Sequence, residues 1–265
     1  MAAEFRSRAA TTCALLLILG CAAAAQWPAV PDQGVPRRAD GRVDLDAPAP
    51  RLLDGRPNLQ GVWEQYNEFE IPLLLRDIGT GKKPGEIPFQ PWAEALYKQR
   101  RETNSVDHPG ARCLPSGIPE KNTVPAPVKI LQVPGMVVFL YEARTIFRQI
   151  FTDGRPLPPA DAQPTWQGYS IGRWDGDAFV VTTAGFNDKT WLGLGGHPAT
   201  EALRVTERFE RKSVGRMDLL VTIDDPKAYT RPWTVDMRFR LLPDGELIEH
   251  ICEENNRDLP HMVGK

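Results

Sequence analysis

The sequence predicts a mainly β protein, in which an antiparallel up-and-down meander closes into a barrel. Residues 168–174 alternate and residues 178–183 are rich in Val, Phe and Thr, and Asp175-Gly176 lies between the two runs. A two-residue Asp-Gly loop favours the type I′ turn of a β-hairpin. From Val128 onward, similar short runs follow one another with turn residues between them. A meander of this kind removes its exposed edges by closing.

Length and composition fit one folded domain. The chain has 265 residues, 25 Pro and 22 Gly, which favours turns and loops over long helices. Its formal net charge of −2 argues against a nucleic-acid binder, because such proteins carry a basic face. We expect a signal peptide at 1–25, a Pro-rich arm at 26–56, and a β-barrel domain at 57–265 with a long insertion at 65–126.

Residues 1–25 have the pattern of a secretory leader. Arg6 and Arg8 form a basic start, an apolar run follows, and small residues end at Ala25. The A-x-A rule favours cleavage after Ala25 and a periplasmic or secreted protein. The alternative is a lipobox that ends at Cys21, in which case a lipid on Cys21 anchors the protein to the outer membrane.

The individual elements follow from local patterns. The run that contains Pro91 predicts a helix at 90–101, because Pro suits a first helical turn and basic residues suit the last one. A first strand begins at Asn58. Further strands are expected at 128–133, 136–141, 144–151, 168–174, 178–183, 203–210, 217–224, 233–241 and 246–252. A second short helix is an option near 187–201. The Pro-rich rest of the insertion is expected to cover one side or one mouth of the sheet.

Two resemblances accompany these patterns. Gly61-x-Trp63 at the head of a β domain resembles the first strand of lipocalins, which implies a lipocalin-like barrel whose Trp plugs one end. The runs GYSIGRWDGDAFVVTTAGFNDKTW, EALRVTERF and TIDDPKAYTRPWT resemble a large family of uncharacterised secreted bacterial proteins. That likeness covers most of the chain from Asn58 onward and implies secretion, but no activity comes with it.

Two cysteines remain outside the leader, Cys113 and Cys252. In an oxidising compartment two such cysteines most simply pair, so we expect a disulfide between them. The sequence has no C-x-x-C motif and no tight spacing of metal ligands, so we expect no metal site.

The Gly-rich loop at 185–201 is the first candidate site. It combines His197 with polar and aromatic side chains between two strands, and loops at a barrel mouth often carry ligand contacts. His197 is the candidate acid/base group, with Asp188 or Glu207 as the carboxylate that tunes it. The candidate ligand-binding residues of this region are Tyr169, Asn187, Trp191 and Glu201. The alternative is a structural loop whose polar groups hold its own backbone.

Charges inside strands are the second candidate site. Glu207 falls on the apolar face of its strand, and Arg148 shares a face with Ile146 and Ile150. Because a buried charge needs a partner, we expect Arg148, Glu207 and Glu142 to form a polar cluster inside the barrel. Such a cluster either binds the polar end of a ligand or braces the barrel.

These observations lead to one main hypothesis and two alternatives. The main hypothesis is a secreted lipocalin-like protein that binds a small, largely apolar molecule, with Arg148 and the 187–201 loop at its polar end. The first alternative is a cofactor-free hydrolase, isomerase or lyase that uses His197. The second is an envelope lipoprotein with a structural role. We expect no cofactor and no nucleic-acid partner under any of them.

Overall fold

The computed structural model describes residues 35–66 and 77–254. Nine strands form one closed barrel in sequence order, β1 to β9, and β9 pairs with β1. The strands are β1 Gly61–Tyr66, β2 Val128–Val133, β3 Met136–Tyr141, β4 Ile146–Phe151, β5 Tyr169–Asp175, β6 Ala178–Ala184, β7 Arg204–Arg211, β8 Arg216–Asp224 and β9 Trp233–Leu241. The predicted mainly β, lipocalin-like barrel is therefore confirmed.

The barrel departs from a pure antiparallel meander at one place. β4 and β5 run parallel, with Ile150 opposite Ser170 and Phe151 opposite Ile171. Strands that simply alternate in direction cannot close a ring of nine, so at least one neighbouring pair must be parallel. Residues 152–168 supply the connection, because they carry the chain back to the other end of the barrel before β5 begins.

Most predicted elements agree with the structure, and three differ. The expected last strand at 246–252 is wrong, because that segment pairs with no sheet strand among the described residues. β4 begins at Ile146, since Arg144 lies in a 3-10 turn, Ala143–Thr145, at φ 66°. The type I′ turn is also wrong: Asp175 pairs with Ala178, and of the two loop residues between them only Gly176 has a positive φ.

The helix and three short turns complete the secondary structure. The helix, α1, spans Pro91–Glu102, and its proline occupies the first turn as predicted. The 3-10 turns are Pro109–Arg112, Glu120–Thr123 and Ala143–Thr145. All except the last of these elements belong to the insertion between β1 and β2.

Side chains fill the barrel from end to end. Alternate residues of each strand point inward, and most of the inward positions are apolar. Trp63 is fully buried, donates its indole N–H to the Leu59 carbonyl at 2.9 Å, and packs under the Arg211 guanidinium at 4.8 Å. The Gly-x-Trp segment thus places a fully buried indole near one end of the barrel.

The two ends of the barrel are closed by different parts of the chain. The Trp63 end carries the short strand connections and residues of the Pro-rich arm, where Ala47 accepts a backbone hydrogen bond from Val214 at 2.9 Å. The opposite end, here called the mouth, carries the insertion and the loops 185–203 and 225–232. Phe89 forms a β-bridge with Tyr229 there. The insertion therefore covers the mouth, as expected.

A disulfide ties the insertion to the chain after β9. Cys113 and Cys252 are bonded, with their Cα atoms 5.6 Å apart, so the predicted pairing is confirmed. The predicted leader, Cys21 included, lies outside the described residues. Among the helices of the described ranges, none has the length and apolar character needed to span a membrane.

Candidate functional site

The polar cluster predicted from the strand patterns lies inside the barrel. Arg148 and Glu207 are 3% and 0% exposed, and Arg148 donates to both carboxylate oxygens of Glu207, with Nη1 3.1 Å from Oε1. Asn122, from the segment over the mouth, donates to the same Oε1 at 2.6 Å. Glu142 is not a member: it lies near the surface, where its Oε2 accepts the backbone N–H of Ile248 at 3.0 Å.

Arg148 makes two further hydrogen bonds inside the barrel. Its Nε donates to Ser170 Oγ at 3.0 Å, and Nη2 donates to Thr183 Oγ1 at 2.8 Å. Burial lowers the pKa of Arg148, but the adjacent Glu207 carboxylate outweighs burial, and the pKa is raised. We call Asn122, Arg148, Ser170, Thr183 and Glu207 the lumen brace. Its charges neutralise each other, so it has the properties of a structural brace.

His197 lies at the mouth, but its partner is a residue that the sequence did not indicate. Its Nδ1 is 2.9 Å from Asp77 Oδ1, whereas Glu207 belongs to the lumen brace and Asp188 is exposed. The expected pairing with Asp188 or Glu207 is thus wrong. Asp77 is 120 positions away along the chain and reaches His197 because the insertion folds over the mouth.

Aromatic rings enclose His197. The centroid of Tyr97 lies 4.4 Å from that of the imidazole, Phe89 lies at 5.7 Å and Trp233 at 6.1 Å. The side chain is 0% exposed, and its Nε2 has no hydrogen-bond partner among the described residues. Gly79 is so close that a Cβ there would lie 2.9 Å from Nε2. The Asp77 carboxylate contacts one side of the imidazole, and aromatic rings and Gly79 pack around the rest of it.

The other predicted ligand-binding residues are scattered. Tyr169 stacks on Phe151, with the ring centroids 5.2 Å apart, and its hydroxyl accepts from Arg155. Asn187 accepts the backbone N–H of Lys189 at 3.2 Å. The remaining two differ from each other: Glu201 is exposed and pairs with Lys227, while Trp191 is 6% exposed and packs under Arg100 at 3.8 Å.

Trp191 leads to a cavity that the sequence did not predict. Its ring meets His108 edge-on, with the centroids 5.0 Å apart. His108 lines a cavity of about 620 Å³ beside the mouth, between the insertion, the turn after β3 and the chain near the disulfide. Its charged and polar lining includes His108, Glu120, Lys121, Arg144 and His250, and its apolar lining includes Ala111, Val124, Ala143 and Leu194. We call it the mouth cavity.

Polar side chains follow one another along one wall of the mouth cavity. The backbone N–H of Gly110 donates to His108 Nδ1 at 3.0 Å, and His108 Nε2 lies 3.3 Å from Glu120 Oε1 without hydrogen-bond geometry. Ser116 Oγ donates to the same oxygen at 2.8 Å, and Arg144 Nη1 donates to Ser116 Oγ at 2.5 Å. The wall therefore holds an imidazole, a carboxylate and a guanidinium in a fixed order.

Lys121 lies next to these side chains and is 3% exposed. Its Nζ donates to the Ala143 carbonyl at 2.8 Å and lies 5.4 Å from the centre of the Tyr141 ring. Burial, and to a smaller extent the positive Arg144, lowers the pKa of the Lys121 amine to about 7, although Glu120 acts in the opposite direction. The neutral amine of Lys121 is therefore much more accessible near neutral pH than that of an ordinary lysine.

Sequence patterns missed these residues for an identifiable reason. His108, Glu120 and Lys121 lie in or beside 3-10 turns of the insertion, where neither the period of a strand nor that of a helix applies. One local signal was present: the pair Glu120-Lys121 follows Ile118-Pro119 directly, and all four residues are buried. Adjacent charges after an apolar dipeptide do not reveal burial without the fold.

Comparisons with known proteins supply no family. A search with protein-family models found no match to this chain, and a search of curated proteins found none. Within residues 35–66 and 77–254, no group of three or more His, Cys, Asp or Glu side chains is arranged to hold a metal ion. The function must therefore be inferred from the residues of the site itself.

Proposed function

We propose that this protein binds a small, largely apolar molecule with one anionic group in the mouth cavity. The observation that carries the proposal is that buried charged side chains converge on a cavity of about 620 Å³. Ligand sites in proteins are mostly apolar clefts of about 300–1,000 Å³ with a few polar groups that fix the orientation of the ligand. The mouth cavity has this size and this mixture of groups.

Arg144 is the group that we assign to the anionic end of the ligand. A guanidinium has five N–H donors, and Arg144 uses Nη1 on Ser116. Burial lowers the pKa of Arg144, but arginine starts so high that the group stays charged at neutral pH. The apolar body of the ligand then packs on Val124, Ala143 and Leu194.

This assignment places the polar end of the ligand at Arg144 and not at Arg148, the position expected from the sequence. Both charges of the lumen brace are buried and bonded to each other, so a ligand would have to break that pair. The 187–201 loop keeps a role through Leu194, which lines the cavity, and through Trp191, which packs against His108 in its wall.

A periplasmic or secreted location is part of the proposal. The disulfide between Cys113 and Cys252 is compatible with an oxidising compartment. Kinship with the family of secreted bacterial proteins, cleavage after Ala25 and lipidation of Cys21 remain predictions. Intact-mass measurement of the protein purified from the envelope distinguishes a chain that begins at Gln26 from one that begins at a lipidated Cys21.

Calorimetric titration with decanoate and with 1-decanol tests the binding site. We expect decanoate to bind at least about tenfold more tightly, because the neutral alcohol cannot pair with the guanidinium. Arg144→Gln is expected to remove that preference and to leave 1-decanol binding unchanged. Lys98→Gln is the matched control, since Lys98 is an exposed cation paired with Glu94 on α1. Equal affinities in the wild type, or a preference that survives Arg144→Gln, would overturn the proposal.

The arrangement at His197 favours enzymatic acid/base chemistry as a second candidate function. A carboxylate holds Nδ1, and Nε2 is left without a partner among the described residues, which is the arrangement of a general base. Gly79 and the surrounding rings must move before a substrate reaches Nε2. Turnover of a p-nitrophenyl ester panel that falls by about 10²-fold or more in His197→Ala would support this function. Equal turnover in the two proteins would exclude it for these esters.

A further inference from the structure

We propose that Lys121 forms a reversible imine with a carbonyl group of the molecule bound in the mouth cavity. The inference rests on the proposed function and deepens it, because it adds an aldehyde or ketone to the expected ligand. The observation behind it is a buried amine on the cavity wall that forms no ion pair with any described carboxylate, beside a carboxylate and an imidazole that line the same cavity.

Lys121 differs from the lysines on the surface. Lys98 pairs with Glu94 at 2.7 Å, and Lys227 is paired with Glu201. The described residues place only the Ala143 carbonyl within hydrogen-bond distance of Lys121 Nζ. A neutral amine still donates one N–H to that carbonyl and keeps its lone pair available. A desolvated lysine amine of this kind is the nucleophile that reacts with carbonyl compounds.

Burial, together with one neighbouring positive charge, favours the neutral form of the Lys121 amine. Burial and the positive Arg144 both lower the pKa of the amine, to about 7 in total, and Glu120 partly opposes them. Tyr141 presents its ring face and carries no charge there, because burial raises its pKa to about 12. An ordinary surface lysine is almost fully protonated at the same pH.

The reaction needs no oxidant or reductant. The Nζ lone pair attacks the carbonyl carbon, a C–N bond forms, and the carbonyl oxygen takes a proton to give a carbinolamine. The C–O bond then breaks, the hydroxyl leaves as water after receiving a second proton, and the nitrogen loses its remaining proton to give the neutral imine. The sum is amine plus carbonyl to imine plus water, and hydrolysis reverses it.

Neighbouring groups can move the protons of these steps. Glu120 follows Ser116 by one turn and adjoins Lys121 in the chain, and its Oε1 lies 3.3 Å from His108 Nε2. Both groups line the same cavity as Lys121, so either is placed to serve the proton transfers to and from the carbinolamine oxygen. Arg144 meanwhile holds the anionic end of the ligand, so the carbonyl is positioned before it reacts.

Reductive trapping tests the imine. The wild-type protein is incubated at pH 7 with sodium cyanoborohydride and 10-oxodecanoate, which is decanoate with an aldehyde at its far end. Peptide mapping by mass spectrometry then locates the secondary amine. We expect one adduct per chain, at Lys121, formed at least about tenfold faster than adducts at Lys98, because more of the Lys121 amine is unprotonated. Decanoate in excess is expected to block it.

Two variants and one binding measurement make the outcome decisive. Lys121→Met is expected to lose the adduct, and Lys98→Met is expected to keep the adduct. If decanoate binds and no adduct forms at Lys121, or if surface lysines react equally fast, the imine is excluded and the proposed function stands. If decanoate fails to bind, both are excluded.

Discussion

Two clusters of buried charge lie within one barrel, and they differ in what neutralises them. In the lumen brace, Arg148 contacts both oxygens of Glu207 and two hydroxyls, and neither charged side chain is more than 3% exposed. In the mouth cavity, Lys121 is buried to the same degree but bonds to one backbone carbonyl. The first cluster has complementary charges, whereas the second has an amine to which residues 35–66 and 77–254 supply no ion-pair partner.

The difference separates a structural role from a functional one. A buried pair with every partner in place fixes the packing around it, and a ligand gains little by entering it. A buried amine beside a cavity costs stability, because burial disfavours its charged form. Such perturbed groups in clefts are typical of functional sites. Variants of the two clusters test this difference, beginning with the largest expected effect.

The largest effect is expected from breaking the lumen brace. Glu207→Gln leaves the Arg148 guanidinium buried without its counter-charge, so we expect the free energy of unfolding to fall by about 3–5 kcal/mol. Urea titration followed by circular dichroism measures it. The double variant Arg148→Met/Glu207→Leu removes both charges and should recover most of the loss. A loss below about 1 kcal/mol in Glu207→Gln would contradict a neutralised buried pair.

The second largest effect is expected from removing the disulfide beside the mouth cavity. Replacing Cys113 and Cys252 by Ser opens a covalent loop with a sequence separation of 139, and we expect a loss of about 2–4 kcal/mol in the free energy of unfolding. Hydrogen exchange should accelerate at residues 142–145 and 248–252, which contact each other through Thr145 and His250. The strands that hold the lumen brace should exchange no faster than global unfolding allows. Uniform acceleration would contradict a local role.

The charged pair of the lumen brace was predictable from the sequence because Arg148 and Glu207 lie on regular strands, whereas Asn122 comes from a 3-10 turn of the insertion. The period of two places Glu207 and Arg148 among inward apolar residues, and the structure joins them. β2, β3 and β9 have the predicted bounds for the same reason. The strand predicted at 246–252 does not belong to the barrel, because a local sequence pattern does not indicate whether a sheet has a free edge for another strand.

The mouth cavity was not predictable, because its residues meet only through tertiary contacts. Arg144 and His108 are brought together by Ser116 and Glu120, and none of these positions follows a regular period. His197 was correctly placed at the mouth, but its carboxylate partner, Asp77, comes from the insertion. A sequence identifies which residues are chemically able to act, and the fold decides which of them meet.

A third effect, smaller within any one pH unit, is a pH dependence to which Lys121 should contribute. The folded pKa of about 7 lies below the usual value near 10.4 that the unfolded chain has, so between these two values the unfolded state binds more protons. Stability therefore rises with pH across this window, by at most about 1.4 kcal/mol per pH unit from this group. Lys121→Met should lack that slope.

The matched control for this pH dependence is Lys98→Met, which should keep the slope because Lys98 is exposed on α1. Both variants are compared with the wild type by urea titration at several pH values from 6.5 to about 10, the range in which an unperturbed lysine is still protonated. Parallel curves for the wild type and Lys121→Met would mean that the amine has an ordinary pKa. In that case its contrast with the lumen brace disappears.

The smallest effect is expected at Glu201, a residue that the sequence placed at the ligand. Its carboxylate is exposed and its partner Lys227 is exposed as well, so solvent screens the pair. Glu201→Ala should leave the free energy of unfolding and the affinity for decanoate within the error of measurement. Asp188→Ala, at another exposed position of the same loop, should behave likewise. A clear loss of decanoate binding in either variant would place the exposed carboxylates of the 185–203 loop, and not only its Leu194, at the ligand.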